Sequence, residues 1–216
     1  MAKIVVVGTG GLAREFTQWF SNQIEIVGYI STNPEEHPRF GLPGRLFEDE
    51  SDIRAIGTNL AVIAIGAPDI RARVYRQLTE AGYQFPVLIH ESSVVASNVD
   101  FADGVVISPM SCIGSNVRLG TLCYVNFCCG VGHDVQVEAF LQMNPGAQIG
   151  GFCRIGKHVL IGSGAVVRQG ISIGNGATIA SGSVVLSKVE ENVTVMGNPA
   201  RRLRLLDRLA KSDNEI

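Results

Sequence analysis

Of the four histidines in this 216-residue chain, His133 is the one set for proton transfer. It stands between Gly132 and Asp134, and Gly132 has no side chain to keep a substrate away. A neutral imidazole, with a pKa of about 6.5 in model peptides, takes a proton from an attacking amine or hydroxyl at neutral pH. An exposed histidine is equally compatible with an ordinary surface role, so its place in the fold must decide. The other three read as structural. His37 sits in a loop rich in Pro and Glu, His90 at a junction between two halves of the chain, and His158 after Lys157 at a solvated corner.

A second chemical feature lies at the other end of the chain. The apolar run at residues 3–7 ends in Gly8-Thr9-Gly10-Gly11, and a helical stretch follows from Leu12 to Phe20. Gly8, Gly10 and Ala13 fit the pattern G-x-G-x-x-A, which lets backbone N–H groups and a helix N-terminus approach a phosphate. A dinucleotide site wants an acidic residue near the end of the second strand, where this chain has Ser31, Thr32 and Asn33. The unit is also half the length of a full dinucleotide fold. A nucleotide-sugar pyrophosphate therefore fits better than NAD, and a simple tight turn remains open as the third reading.

Two different scaffolds must position these features. Sixteen apolar anchors recur at strict six-residue spacing from Val95 to Val185, and the residue after each anchor is usually small. Six is even, so it suits strand alternation and not a helical face. The position two before each anchor is also apolar or small, as in Val105, Val117, Cys129, Val135 and Val159. Two inward side chains and then a small residue at a bend describe one short strand and one corner. Three such flats, about 18 residues, make a coil that buries its apolar side only by stacking on its neighbours. Before this repeat, strands at 24–30, 60–65 and 86–89 alternate with helices at 12–20 and 69–81, implying a small parallel sheet covered on both sides.

Composition excludes several classes. A net charge of −2 and a pI near 6.1 give no reason to expect nucleic acid or an anionic membrane as partner. No run reaches the roughly 18 apolar residues of a membrane span, and no secretory signal is visible, so a cytoplasmic protein is expected. Of five cysteines, Cys123, Cys129 and Cys153 take the inward position, the spacing matches no zinc signature, and no metal is expected.

The repeat, the loop Gly8–Gly11, Ala64-Ile65-Gly66, Gly132-His133-Asp134 and the closing Gly197-Asn198-Pro199-Ala200 together resemble the hexapeptide-repeat acyltransferases. They resemble closely the subgroup of sialic-acid O-acetyltransferase-like and bacillosamine- or perosamine-N-acetyltransferase-like enzymes. The resemblance covers nearly the whole chain and implies an α/β plus all-β fold. A Rossmann-like sheet at 1–90 precedes a left-handed parallel β-helix at 91–200, and a capping helix and tail occupy 201–216, with Leu203, Leu206 and Leu209 on one face. The implied activity is N-acetylation of a nucleotide-activated amino sugar by acetyl-CoA, in a homotrimer with sites between subunits. The alternatives are O-acetylation of a sialic acid or related sugar, and a non-enzymatic sugar-nucleotide-binding solenoid.

The resemblance also assigns residues. His133 is the base, and Asp134 is the acidic neighbour that raises its basicity, although Glu is usual there. Gly151, eighteen residues on, supplies a backbone N–H to the thioester oxygen. Gln142 stands where relatives carry a second histidine that helps bind the donor, and Ser163 and Ser181 match positions lining the coenzyme groove. On the sugar side the corresponding residues are Gly8, Gly10, Gly11, Leu12, Ser31, Thr32 and Gly66. Leu12 replaces a usual histidine, and Ser31 and Thr32 replace a usual acidic pair.

Overall fold

The computed structural model describes residues 1–47 and 57–203. Strands β1 (Ala2–Val7), β2 (Ile24–Ile30), β3 (Arg45–Phe47) and β4 (Ala61–Ile63) form one parallel sheet in the order β3-β2-β1-β4. Helices α1 (Gly11–Phe20) and α3 (Pro68–Glu80) cover its two faces, and a short α2 (Glu36–Arg39) follows β2. Alternation along β1 divides the core. Ile4 and Val6 pack with Phe16 and Phe20 of α1, while Val5 and Val7 pack with Leu78, Val74 and Tyr75 of α3. β3 was not foreseen in the sequence. The short strand expected at 86–89 forms as Leu88–Ile89, but it pairs with Val106–Ile107 in the repeat region and not with the first sheet.

From there the chain coils. Two-residue strands pair in parallel with the strand eighteen residues later, as Gly130–Val131 does with Gln148–Ile149. With Thr194–Met196 and the antiparallel Arg201–Arg202 added to the first, they build three flats of eight, six and five strands. The anchors and the residues two before them fill one continuous interior from Val105 to Val195. Cys123, Cys129 and Cys153 belong to it, and burial pushes the Cys123 thiol up to about 12 and that of Cys129 up to about 11.

The corners obey two rules where the sequence suggested one. Every sixth residue from Gly104 to Gly182 has φ between +54° and +77°, and it lies three past the anchor. The small residue one past the anchor meets a different demand. A Cβ on Gly132 would lie 2.5 Å from the Gly151 nitrogen, so that position must be bare for successive coils to stack. The bend itself falls two residues later, on residues as varied as Asn116, Leu122, Asp134 and His158. A left-handed backbone costs an L-residue about 1–2 kcal/mol. Stacking of the coils therefore over-determines the conformation at these sites.

The three flats have different outward faces. One, carrying Val106 and Tyr124, is buried beneath the first domain and extends its α1 core. A second presents Asp100, Arg118, Gln136, Arg154 and Ser172, with Arg118 and Asp100 paired at 3.1 Å. The third presents Val94, Cys112, Gly130, Gln148, Val166 and Val184, and no described part of the chain covers it. At the C-terminal end the helix expected from Arg201 does not begin there. Arg201–Arg202 pair antiparallel with Thr194–Met196, which continues the sheet edge, and Leu206 and Leu209 lie outside the described residues. Among the described residues no helix is long and apolar enough to cross a membrane.

Candidate active site

His133 sits at the corner that follows strand Gly130–Val131, between the apolar flat and the charged one. Its side chain is about half exposed, and its Nδ1 lies 2.8 Å from Asp134 Oδ2. A carboxylate can only accept, so Nδ1 carries the proton and the lone pair is on Nε2. The shorter Asp thus reaches the ring as a Glu would. Asp134 is itself the left-handed corner residue, with φ +59°. Asp134 accepts a second bond from Asn116 Nδ2 at 3.1 Å. The hydrogen bond from His133, helped by the one from Asn116, holds this carboxyl below the usual carboxylate range. Phe152, one coil on, meets the imidazole edge-on at 4.9 Å between centroids.

Gly151 lies directly against the ring. A Cβ there would come within 2.8 Å of both Cε1 and Nε2 of His133, so only glycine leaves Nε2 reachable. The Gly151 carbonyl accepts from Gly170 N–H at 2.8 Å, but its own N–H has no backbone acceptor among the described residues. An unpaired amide beside an open imidazole nitrogen is the arrangement that stabilises charge on an oxygen while a proton is removed nearby.

Other residues singled out from sequence do not gather there. Ser163 and Ser181 are exposed, but they belong to the corner at the far edge of the apolar flat. Ser163 and Ser181 lie 30 and 48 residues beyond His133, in each case two thirds of a coil past a whole number of eighteen-residue coils, so within one chain they cannot meet His133. Gln142 is buried in the covered flat. Its Oε1 accepts from Arg71 Nη1 at 2.8 Å and its Nε2 donates to Asn144 Oδ1 at 3.2 Å, which leaves no free group for a coenzyme. Arg71, which nothing in the sequence pattern flagged, is the pin between the domains. It lies in α3 and donates to Ile65 O, Leu122 O, Phe140 O, Leu141 O and Gln142 Oε1 at 2.7 to 3.1 Å. Burial lowers this guanidinium to about 10, so it stays charged at neutral pH.

The three remaining histidines make contacts with their own surroundings, away from His133. His90 bridges Ser92 Oγ and Trp19 O, and His37 packs edge-on against Tyr29 from α2. His158 is not at a solvated corner. It is half-buried under α3, against Phe140, with Asp69 Oδ1 at 2.7 Å from Nδ1. That contact lacks hydrogen-bond alignment, so it is ionic at most.

The glycine loop opens on a cavity of about 660 Å³ at the C-terminal ends of β1, β2 and β4. Ligands bind at such a position in open parallel sheets. It is lined by Gly8–Leu12, Ser31–Asn33, Glu36, Ala64–Gly66 and Arg73, among others, and by no residue of the solenoid. Gly8 is explained by the turn, with φ +108° and the Ala64 carbonyl 3.1 Å from any Cβ. Gly10 and Gly66 are not, because a Cβ on either would meet nothing within 4 Å. The N-terminus of α1 has no side-chain cap and presents its free N–H groups there. Glu36 was missed in the sequence reading because it lies beyond the end of β2. Its Oε2 accepts from Thr9 Oγ1 at 2.7 Å, so Ser31 Oγ must donate to Thr9 at 2.8 Å. An acid therefore does face the cavity, from α2.

Comparison with known proteins agrees with this two-part arrangement. Residues 3–78 match the family model described as the PglD N-terminal domain, and residues 152–187 match bacterial transferase hexapeptide (six repeats). A GDP-perosamine N-acetyltransferase of Escherichia coli O157:H7 is 35% identical over 90 residues, which is 42% of this chain and 41% of that protein. Among solved structures, PerB from Caulobacter crescentus in complex with CoA and GDP-perosamine superposes with a TM-score of 0.84 at 24% identity. That match covers 94% of this chain and 98% of the other. The acetyltransferase domain of PglB from Neisseria gonorrhoeae FA1090, in complex with acetyl coenzyme A, gives 0.81 at 26%, over 93% and 98%. WeeI from Acinetobacter baumannii AYE gives 0.79 at 26%, over 94% and 100%. The stacked coils are therefore a left-handed parallel β-helix behind a small parallel sheet. Residues 3–78 and 152–187 therefore resemble the PglD N-terminal domain and the hexapeptide transferases, and the chain shares the two-domain arrangement of the PglB acetyltransferase domain and WeeI.

Proposed function

We propose that this protein is an acetyl-CoA-dependent N-acetyltransferase acting on a nucleotide-activated amino sugar, GDP-perosamine being the first acceptor to try. One observation carries the reading: the Nε2 of His133 is open beside the unpaired Gly151 N–H while its Nδ1 is tied to Asp134. In the reaction, Nε2 takes the proton as the sugar amine attacks the thioester carbonyl. Gly151 N–H donates to the oxygen that becomes negative. The C–S bond then breaks, and the departing thiolate of CoA regains the proton from the imidazolium. No acyl-enzyme forms. The bare Gly10 and Gly66 and the free end of α1 support a pyrophosphate in the first cavity, with Glu36 and Ser31 toward the nucleoside.

The cavity holds no solenoid residue, and His133 lies beyond the flat that the first domain covers. One chain therefore offers the acceptor pocket and the base apart from each other. Three copies packed through the apolar flat would bring Ser163 and Ser181 of one copy toward His133 of the next. Val94 and Met110, 68% and 61% exposed, and Phe152 make that flat and its corners the natural seam. We accordingly assign a cytoplasmic homotrimer, with 1–90 binding the nucleotide sugar, 91–200 carrying the acyl transfer and 201–216 as an end piece.

The test is incubation with acetyl-CoA and GDP-perosamine, with free thiol and product mass followed together. The expected result is one CoA thiol released per acceptor that gains one acetyl group on nitrogen. Transfer to the hydroxyl of a sialic acid and not to the amino sugar, or binding of sugar nucleotides without any transfer, would overturn it.

A further inference from the structure

Asp134 is not the end of the hydrogen-bonded chain that begins at His133. Its Oδ1 accepts from Asn116 Nδ2 at 3.1 Å, and Asn116 Oδ1 accepts from Asn98 Nδ2 at 2.6 Å. Asn98 Oδ1 in turn accepts the Asn116 backbone N–H at 3.3 Å. The three residues are eighteen apart, so they stack down one corner, one per coil. We propose that Asn98 and Asn116 are positioning residues for the acetyl transfer, holding Asp134 in the one orientation that fixes His133 with Nε2 free. The proposal rests on the reading of His133 as the base.

The argument is one of donors and acceptors. An amide side chain has one accepting and one donating end, and rotation about its last bond exchanges them. Asn98 donates to the oxygen of Asn116 and thereby commits the Asn116 NH2 to face Asp134. That NH2 occupies Oδ1 of the carboxylate, leaving Oδ2 for the ring. Without it the carboxylate is free to rotate, and the imidazole can present either nitrogen to it. Backbone preference alone explains part of the pattern, because Asn116 has φ +57° and Asn tolerates that region. It does not explain Asn98, which is not in the left-handed region. Nor does it explain why the ladder stops at the histidine: the same corner continues with Phe152 and Gly170, which carry no polar side chain. Among the described residues, the ionisable groups bonded within this cluster are His133 and Asp134 themselves.

Three variants test this. Asn116→Gly keeps a residue at ease with positive φ and deletes the donor. It should lower kcat about tenfold, as loss of a group orienting a working histidine does, with KM for acetyl-CoA and the melting temperature nearly unchanged. Asn98→Ala, on an exposed corner, should do the same more weakly. Asn116→Asp places a second carboxylate beside Asp134, which favours the imidazolium, so the acid limb of the pH–rate profile should move to higher pH. Imidazole nitrogen chemical shifts give a readout independent of turnover. Wild type should show the proton on Nδ1, and Asn116→Gly a mixture of both tautomers. If neither kcat nor the nitrogen shifts change in Asn116→Gly and Asn98→Ala, the proposal is wrong. Should wild type show no transferase activity while the variants still mix the tautomers, the proposed function fails and the positioning role stands.

Discussion

His133 and His158 each hold an aspartate oxygen within 2.8 Å of Nδ1, at neighbouring corners of the same solenoid, yet the two pairs are built for different ends. At His133 the aspartate is the next residue and forms an aligned bond. The ring is open at Nε2, and a glycine lies under it. At His158 the aspartate comes from α3, is 91% exposed, and makes no aligned bond, while the ring is wedged against Phe140. The lesson is that residue types and a short distance do not define a proton-transfer site. Alignment, an unblocked second nitrogen and a neighbouring unpaired donor do.

The largest effect separates the pairs outright. His133→Ala should cost about 10²- to 10⁴-fold in kcat, the usual contribution of a general base, with acetyl-CoA binding by calorimetry intact. His158→Ala in the same assay should stay within about threefold of wild type, since it removes a packed ring and no proton acceptor. Equal losses in both would erase the distinction. The next effect is on stability, at the corner His158 shares. Arg71→Met should destabilise by about 3–5 kcal/mol in urea unfolding, because it leaves the Ile65, Leu122 and Phe140 carbonyls and Gln142 Oε1 without the guanidinium donor. Arg71→Lys should recover little, for one ammonium cannot span acceptors on Ile65, Leu122, Phe140 and Leu141.

Asp134→Asn sharpens the contrast from the other side. It preserves shape but offers an NH2 where the ring needs an acceptor, and should lower kcat roughly 10- to 100-fold. The sign of its pH dependence follows from the lowered carboxyl. In wild type the support from Asp134 is complete above the ordinary carboxylate value and disappears only as pH falls through the depressed one. Activity lost at milder acidity therefore belongs to groups other than Asp134. Gly10→Ala moves the comparison to the nucleotide end. It clashes with nothing in the protein, so stability should hold, while KM for the nucleotide sugar rises about tenfold and kcat changes little.

Much of this was legible in the sequence for a physical reason. A six-residue anchor repeat calls for short strands stacked in coils, and the buried interior from Val105 to Val195 follows it without a break. Gly132-His133-Asp134 was legible because adjacent residues at a corner share one environment. What could not be read is what depends on the chain meeting itself. Arg71 and Gln142 are 71 positions apart and find each other only because α3 docks on the covered flat. Glu36 reaches Thr9 through the placement of α2, which has no periodic signature. The Asn98–Asn116–Asp134 ladder did carry a signal, a polar residue every eighteen positions. It is masked by the small residue one past each anchor, which marks the close approach of coils and not the bend two residues later.

The smallest effect is the sharpest check on the comparison. Asp69→Asn removes the charge from the His158 pair without changing its shape. The carboxylate is almost wholly in water, so screening and side-chain entropy should leave a stability change of about 0–1 kcal/mol, shrinking further with added salt. Turnover should not move, because His158 faces Phe140 and α3 and not the Gly151 amide. The matched change at Asp134 alters a bond the ring needs to keep its proton on Nδ1. Two substitutions of the same kind, at contacts of nearly the same length, should therefore report on different quantities, one on salt-dependent stability and the other on rate. If Asp69→Asn slowed turnover as much as Asp134→Asn, the proton would have to travel by way of α3. The site would then lie at the domain junction and not at the open corner.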